Sequence, residues 1–449
     1  MRSPLPLPVV PLPLLPVALM LALLCATIAW HFPFMLWDHL DLAPIYAGWQ
    51  NGTLLQTGFL RIHGGHLHTA AYVVLLATTW LSHGQTWLDC VASWALLVVY
   101  AALVLLACKK TLPMDQFGNR VAYALIVVLA LYPGHLANLQ WGWQVAVFLC
   151  LVGTAATIYC LTVARMTWTS DFLALAATGL ALMSFATGLA LVPIALIAIA
   201  TRKELSVRER LMFAAPWLLV CLAAVYGASG TAHVLSHFSA ESAVAAWGKL
   251  RPVTIGEYTL NYLGSGIARF LPGAAPWLAV VALASAIVMI ARVQNRRAAA
   301  PWISFLAFAV LSAVLTALAR YGEGDGQAFA SRYVSFSTLF WIGWVGLFSV
   351  WSGETTGSRV VRSQIWLWMI AALAAINAIE MTQESARLGA ETRVLAQTLC
   401  SNYPNVDERI LSDMYYGGAQ AAREHLQILR ERGFAPFDAC PQSAAHATH

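Results

Sequence analysis

From Leu12 to Met381 the chain is a succession of apolar runs separated by polar breaks. No other feature limits its fold so strongly. In hydrocarbon every backbone N–H and C=O has to be satisfied inside the protein, which leaves helices or closed barrels. Runs approaching ~20 residues read as helices rather than barrel strands. The composition agrees: 59% of residues are hydrophobic and 10% charged, where a soluble domain is nearer one half and one quarter. The chain therefore reads as an all-α polytopic membrane protein. Its net charge of +5 says little about nucleic acid, and no such partner is expected, because most Lys and Arg fall in short loops between runs, where they set orientation.

The apolar pattern predicts about 11 transmembrane helices, near 12–32, 88–108, 121–134, 143–163, 171–184, 187–201, 211–228, 274–292, 301–319, 333–352 and 365–382. Some are short for a ~30 Å hydrocarbon core. The first run is read as a retained span rather than a cleaved signal, since it is long, proline-rich and lacks a clear small-x-small site. The stretch 69–81 (TAAYVVLLATTWL) gives only about 20 Å of helix at ~1.5 Å per residue. It is read as an interfacial helix. With the N-terminus cytoplasmic, this parity places the majority of the 26 Lys and Arg on the cytoplasmic side. Counting 69–81 as a span gives a rival topology that charge alone barely separates. In the preferred topology the polar segments 33–87, 135–142, 229–273 and 320–332 share the outer face. Residues 1–382 then form a transmembrane domain and 383–449 an extracytoplasmic helical tail, with helical spacing over 407–432 broken at Gly417-Gly418. Cys400 and Cys440 in that tail are able to pair if it is extracytoplasmic.

The first outer segment is unusually polar for its surroundings. Asp38 and Asp41 share a helix face at i, i+3. A partly desolvated aspartate can serve as general base for a hydroxyl, whereas Asp41, with Pro44 following, equally suits a helix N-cap. His63 and His66 flank Gly64-Gly65, and His68 follows. They suit a phosphate or substrate contact, a metal, or plain interfacial polarity. No metal geometry is identifiable and no cofactor is implied. In "YPGHLANLQWGWQVA", residues 132–146, His135, Asn138, Gln140, Trp141, Trp143 and Gln144 interleave amides and tryptophans like a sugar-contacting surface. Interfacial tryptophans alone are common. In "ALARYGEGDGQAFASRYVSF", residues 317–336, Arg320 and Arg332 bracket a glycine-rich loop, each followed by a tyrosine, Tyr333 in the second case. Such arginines suit phosphate oxygens, or else snorkel or pair with Glu323 or Asp325.

Together "WDHLDLAPIYAGWQNG", "HGGHLHTAAYVVLLATTWLSHGQTWLDCVASWAL", "NLQWGWQVAVFL", "SFATGLALVPIAL" and "ASRYVSFSTLFW" resemble bacterial members of the glycosyltransferase C superfamily, across most of 12–382. Two departures stand out: Asp-His replaces the usual acidic pair, and Gly64-Gly65 stands where an acidic residue is expected between the histidines. The resemblance implies a bacterial inner-membrane enzyme that moves a sugar from a polyprenyl-phosphate donor, lodged in membrane lipid, to an acceptor glycan or lipid at the outer face. Asp38, with Asp41, would supply the base. Arg332 and Arg320, with His63 and His66, would face the donor phosphate. His135, Asn138, Gln140, Trp141, Trp143, Gln144 and Tyr333 would line the substrate. A single base implies inversion. This expectation requires Asp38 and Arg332 to meet at one cavity. A flippase or transporter for a lipid-linked saccharide is the alternative, although ionisable residues are missing from the centres of several runs. A scaffold that docks through its tail is a third.

Overall fold

The computed structural model describes residues 14–60, 62–63, 66–230, 251–354 and 359–440. Gly64, Gly65, the start of the first run and 231–250 of the long polar loop lie outside the described residues. Within them the protein is all-α apart from one two-stranded ladder. Seven helical stretches are long and apolar enough to cross a membrane: Trp87–Thr111, Phe117–Leu139, Gly142–Val163, Ala275–Arg292, Arg296–Arg320, Ser331–Gly353 and Ile365–Asn402. They coincide with seven of the expected spans. The runs at 12–32, 171–184 and 187–201 are also helical, as the shorter apolar helices Leu14–Trp30, Trp168–Leu182 and Ala186–Ala200, and 211–228 lies inside Val207–Gly230. The protein is an all-α polytopic membrane protein.

The innermost helix is Ser331–Gly353, buried continuously from Tyr333 to Val350. Small residues let its neighbours approach. A Cβ at Gly343 would lie 2.7 Å from the carbonyl oxygen of Trp302, and one at Gly346 would strike the Trp302 ring at 2.1 Å. Helix association in lipid depends on such close packing, because apolar side chains gain little by leaving apolar solvent.

The stretch 69–81 forms the helix Thr69–Ser82. Ala71, Tyr72, Leu75 and Leu76 are buried, while Val73, Trp80 and Leu81 are exposed. It ends at His83 in the left-handed region. Gly84 follows at φ +83°, where a Cβ would overlap the Phe434 ring at 2.2 Å. A glycine is needed there on both counts.

The polar segments that the sequence assigns to one face do meet at one end of the bundle. The Phe32 N–H donates to the Gln140 carbonyl at 2.8 Å, and the Trp141 indole donates to the Leu36 carbonyl at 3.1 Å. Asn138 donates to the Ser331 carbonyl at 2.9 Å, and Arg269 donates to the Phe329 carbonyl at 2.7 Å.

The expected division at residue 382 has no counterpart in the backbone. One helix runs unbroken from Arg359 to Asn402, because 383–402 holds no proline and keeps helical apolar spacing. Beyond it come Glu408–Met414 and Gly418–Glu431, separated at Gly417 and Gly418. A Cys400–Cys440 disulfide closes the tail. The tail folds back over the first loop. Phe434 meets the Tyr46 ring at 5.2 Å, Arg432 donates to Gln50, and Gln85 donates to Asp438.

Candidate functional site: an aspartate–histidine cluster beneath the tail

Asp38 and Asp41 lie on a single 3-10 turn, Trp37–Asp41, that leads directly into the helix Leu42–Gln50. Trp37 holds φ +55°, a strained conformation for a bulky residue. Its ring is wedged between Phe32 at 5.6 Å and Trp141 at 5.2 Å, so packing imposes the turn. Asp41 occupies the N-cap position but makes no side-chain cap hydrogen bond. Its carboxylate is engaged elsewhere.

His63 and His66 face each other across an antiparallel ladder, Ile62–His63 with His66–Leu67. His63 Nδ1 lies 3.0 Å from Asp41 Oδ2, and Nε2 lies 3.8 Å from Asp38 Oδ2. Its ring is 5.0 Å from Trp143 and 5.8 Å from Tyr416. Burial opposes a charge on this ring. The hydrogen bonds and charges of Asp38 and Asp41 outweigh it and push the pKa up to about 9. His63 is therefore a cation at neutral pH.

Asp41 accepts further hydrogen bonds from the tail, from Tyr415 and from Tyr416 at 2.9 Å. Burial pushes its pKa up, but His63 and the two phenols outweigh it and hold the carboxyl below its usual range. Asp38 differs. Its side chain is 37% exposed against 15% for Asp41, and its only described partner is the more distant nitrogen of His63. It is the open carboxylate of the pair.

His66 stacks on Phe185 at 4.1 Å and accepts from the Ala186 N–H at 3.3 Å. Burial lowers its pKa to about 3, reinforced by the charges of Arg320, Arg332 and His63. Neither Asp38 nor Arg332 lines either of the two cavities described below, so the shared cavity that the sequence reading requires is not among them. Arg332 donates to Gln327 at 3.3 Å and lies 4.9 Å over the Tyr333 ring. Arg320 pairs with Glu323 at 2.5 Å, as the sequence allowed. His68 is buried and stacks on Trp143 at 4.7 Å, with neither ring nitrogen partnered. Burial brings its pKa down to about 3.

The segment 135–144 is placed differently. His135 and Asn138 are fully buried and bind Ser335 Oγ, each at 2.8 Å. Gln140 is buried with no side-chain partner. Trp141 closes on the 3-10 turn, and Gln144 is buried. Only Trp143 touches the histidine cluster, and it is itself 3% exposed. Tyr333 packs on Tyr262 at 5.3 Å. His135 and Asn138 tie helices together, and all of these side chains are buried instead of lining an open surface.

Two groups escaped the sequence reading. Tyr415 and Tyr416 sit just before Gly417-Gly418, and a tyrosine pair at a helix break was the available signal. His39 and Asp89 form a buried pair at 3.6 Å, with Thr78 donating to Asp89. Gly142 passes so close that a Cβ would lie 2.6 Å from Asp89 Cβ. An aspartate in the first turn of an apolar helix was the clue there. Among the described residues no group of three or more His, Cys, Asp or Glu is arranged to hold a metal ion.

Fold and site define a multi-pass helical membrane protein with an ionic cluster at one end of its bundle. Comparison with protein-family models, with curated proteins and with solved structures found no match.

Proposed function

We propose that this protein is a membrane glycosyltransferase, with a glycosyltransferase C-like arrangement of about 11 spans, that takes a sugar from a polyprenyl-phosphate donor at the extracytoplasmic face of a bacterial inner membrane. One observation carries the reading. An open carboxylate, Asp38, stands beside the His63 imidazolium, which Asp41 holds from its other nitrogen.

The chemistry follows from these placements. Asp38 takes the proton from an acceptor hydroxyl as that oxygen attacks the anomeric carbon. The bond from this carbon to the phosphate oxygen breaks, and the electron pair leaves with the polyprenyl phosphate. Direct displacement inverts the centre. The leaving phosphate needs charge stabilisation more than a proton, and Arg332 with Arg320 is suited to that. Asp41 is a positioning residue. Held ionised by Tyr415, Tyr416 and His63, it fixes the imidazolium, and His63 in turn orients Asp38.

The test uses the full chain in proteoliposomes given polyprenyl-phosphate-linked hexose and pentose, with release of polyprenyl phosphate as readout. Asp38→Asn should lower release at least 100-fold while donor binding persists. Release at the wild-type rate by that variant would remove the assignment. Movement of labelled donor across the bilayer with no release would favour the flippase alternative.

A further inference from the structure

Two cavities of about 800 and 780 Å³ share no lining residue with the aspartate–histidine cluster. They lie end to end along one face of the long helix Arg359–Asn402. Trp366, Met369 and Ile370 line one, and Asn377, Glu380, Met381, Glu384 and Arg387 line the other. Within each cavity these positions recur mostly at three- and four-residue spacing, and a two-turn step from Ile370 to Asn377 separates the two sets while keeping them on one stripe of the helix. On the opposite wall the cavities come next to each other, since Pro272 lines one and Gly273 the other.

The cavities differ in chemistry. The first is about 780 Å³ and almost wholly apolar, walled by Trp277, Trp341, Trp344, Trp351 and Trp366. The Trp341 and Trp344 indole N–H groups are tied back to the Leu263 carbonyl at 2.9 Å and to Ser285 at 2.9 Å. Those two rings therefore offer the groove apolar surface with no unmet donor. The second is about 800 Å³ and carries charge of both signs. Arg269 is committed to Glu384 and to the Phe329 carbonyl. That leaves Glu380, which has no hydrogen bond or ion pair among the described residues, and Arg387, which is 69% exposed and only loosely paired with Glu391 at 3.9 Å. Glu380 and Arg387 lie two turns apart on one face, about 10 Å at ~1.5 Å per residue, within the combined reach of their side chains.

We propose that this composite groove is a binding site for one zwitterionic phospholipid, whose headgroup joins a phosphate to a cationic amine. Its chain lies among the tryptophans, its phosphate meets Arg387, and its ammonium meets Glu380. Charge complementarity selects that occupant. A purely anionic lipid would meet Arg387 while facing Glu380 unpaired, and like charges at close range oppose binding. The length also fits. From Ile370 to Arg387 the helix covers about 25 Å at ~1.5 Å per residue, comparable to half of a ~40–45 Å bilayer with its headgroups. Lipid retention is read without any sugar transfer, so the outcome here is separate from that of the proposed enzyme chemistry.

The experiment is native mass spectrometry of the delipidated full chain titrated with phosphatidylethanolamine, phosphatidylglycerol or polyprenyl phosphate. Phosphatidylethanolamine should bind at one site at least fivefold more tightly than the other two. Glu380→Gln, at an exposed position, should erase that preference. Gly273→Trp should weaken all three at least fivefold. A Cβ at Gly273 meets nothing within 4 Å, so the backbone accommodates the change while the ring fills the junction of the cavities. Equal binding of the three lipids would overturn the assignment. So would tighter binding of polyprenyl phosphate, or wild-type occupancy in both variants.

Discussion

Residues 38–68 and residues 135–144 make the same promise in sequence, with histidines, amides or acids and tryptophans next to apolar runs. They end in opposite situations. In the first, Asp38 keeps an open edge and His63 is held as a cation between two carboxylates. In the second, His135 and Asn138 are sealed against Ser335 inside the bundle. Residue type was not the deciding variable. The neighbour was: the first segment is covered by a polar tail, the second by the most buried helix of the protein. Asp38 and His63, reached by carboxylates and phenols from neighbouring segments, keep charge and an open edge, whereas His135 and Asn138, enclosed between helices, are bonded to their neighbours.

The comparison breaks most readily if readouts are crossed. Asp38→Asn should abolish transfer with only a small fall in unfolding temperature, since His63 keeps its closer partner Asp41 at 3.0 Å. Asn138→Ala should do the converse, lowering stability by about 1–3 kcal/mol because the Ser331 carbonyl loses its donor, with residual transfer tracking the folded fraction. Thermal unfolding in detergent alongside the release assay measures both. A catalytic defect in folded Asn138→Ala would return 135–144 to the site.

The next effect concerns the cover. Cys400→Ser opens the disulfide that closes the tail, a crosslink of a kind worth about 2–4 kcal/mol. The tail should become cleavable by added protease, and transfer should fall about tenfold as Asp41 loses Tyr415 and Tyr416. Unchanged transfer with a cleaved tail would show that the tyrosines are dispensable to the cluster.

The smallest effect is in pH. His63 has its pKa raised from its ordinary 6.5 to about 9. Its contribution to stability is thus complete below 6.5 and lost as pH rises through about 9. Asp41 has its pKa lowered, so its contribution is present above the usual carboxylate range and lost as pH falls through its depressed value. Unfolding temperature should decline between pH 6.5 and 9 in the wild type and in Asn138→Ala. It should be flat over that interval in His63→Gln. A parallel decline in His63→Gln would place the titrating group elsewhere.

Much of the architecture was legible in the chain. The apolar runs had to be helices, because hydrocarbon offers backbone groups no partner. The helix break at Gly417-Gly418 was readable from local chemistry, whereas Cys400 and Cys440 were readable only as able to pair, and the structure joins them. The site was legible in part. Asp38, Asp41 and His63 were singled out, and the structure brings them together, yet Asp41 was equally readable as a helix cap and in fact binds the tail. The tyrosine pair at the helix break marks Tyr415 and Tyr416 as candidates, but nothing local names Asp41, nearly four hundred residues away, as their partner.

What the sequence determined by itself was the class of solvent and the secondary structure, because both depend on the composition and periodicity of short windows. What only the tertiary structure decided was which polar residues stay accessible. Which aspartate is saturated, which histidine holds a proton and which amides are buried depend on groups that the chain delivers from distant segments. Electrostatics and desolvation act through space, over a few ångströms, and no spacing along the chain encodes them.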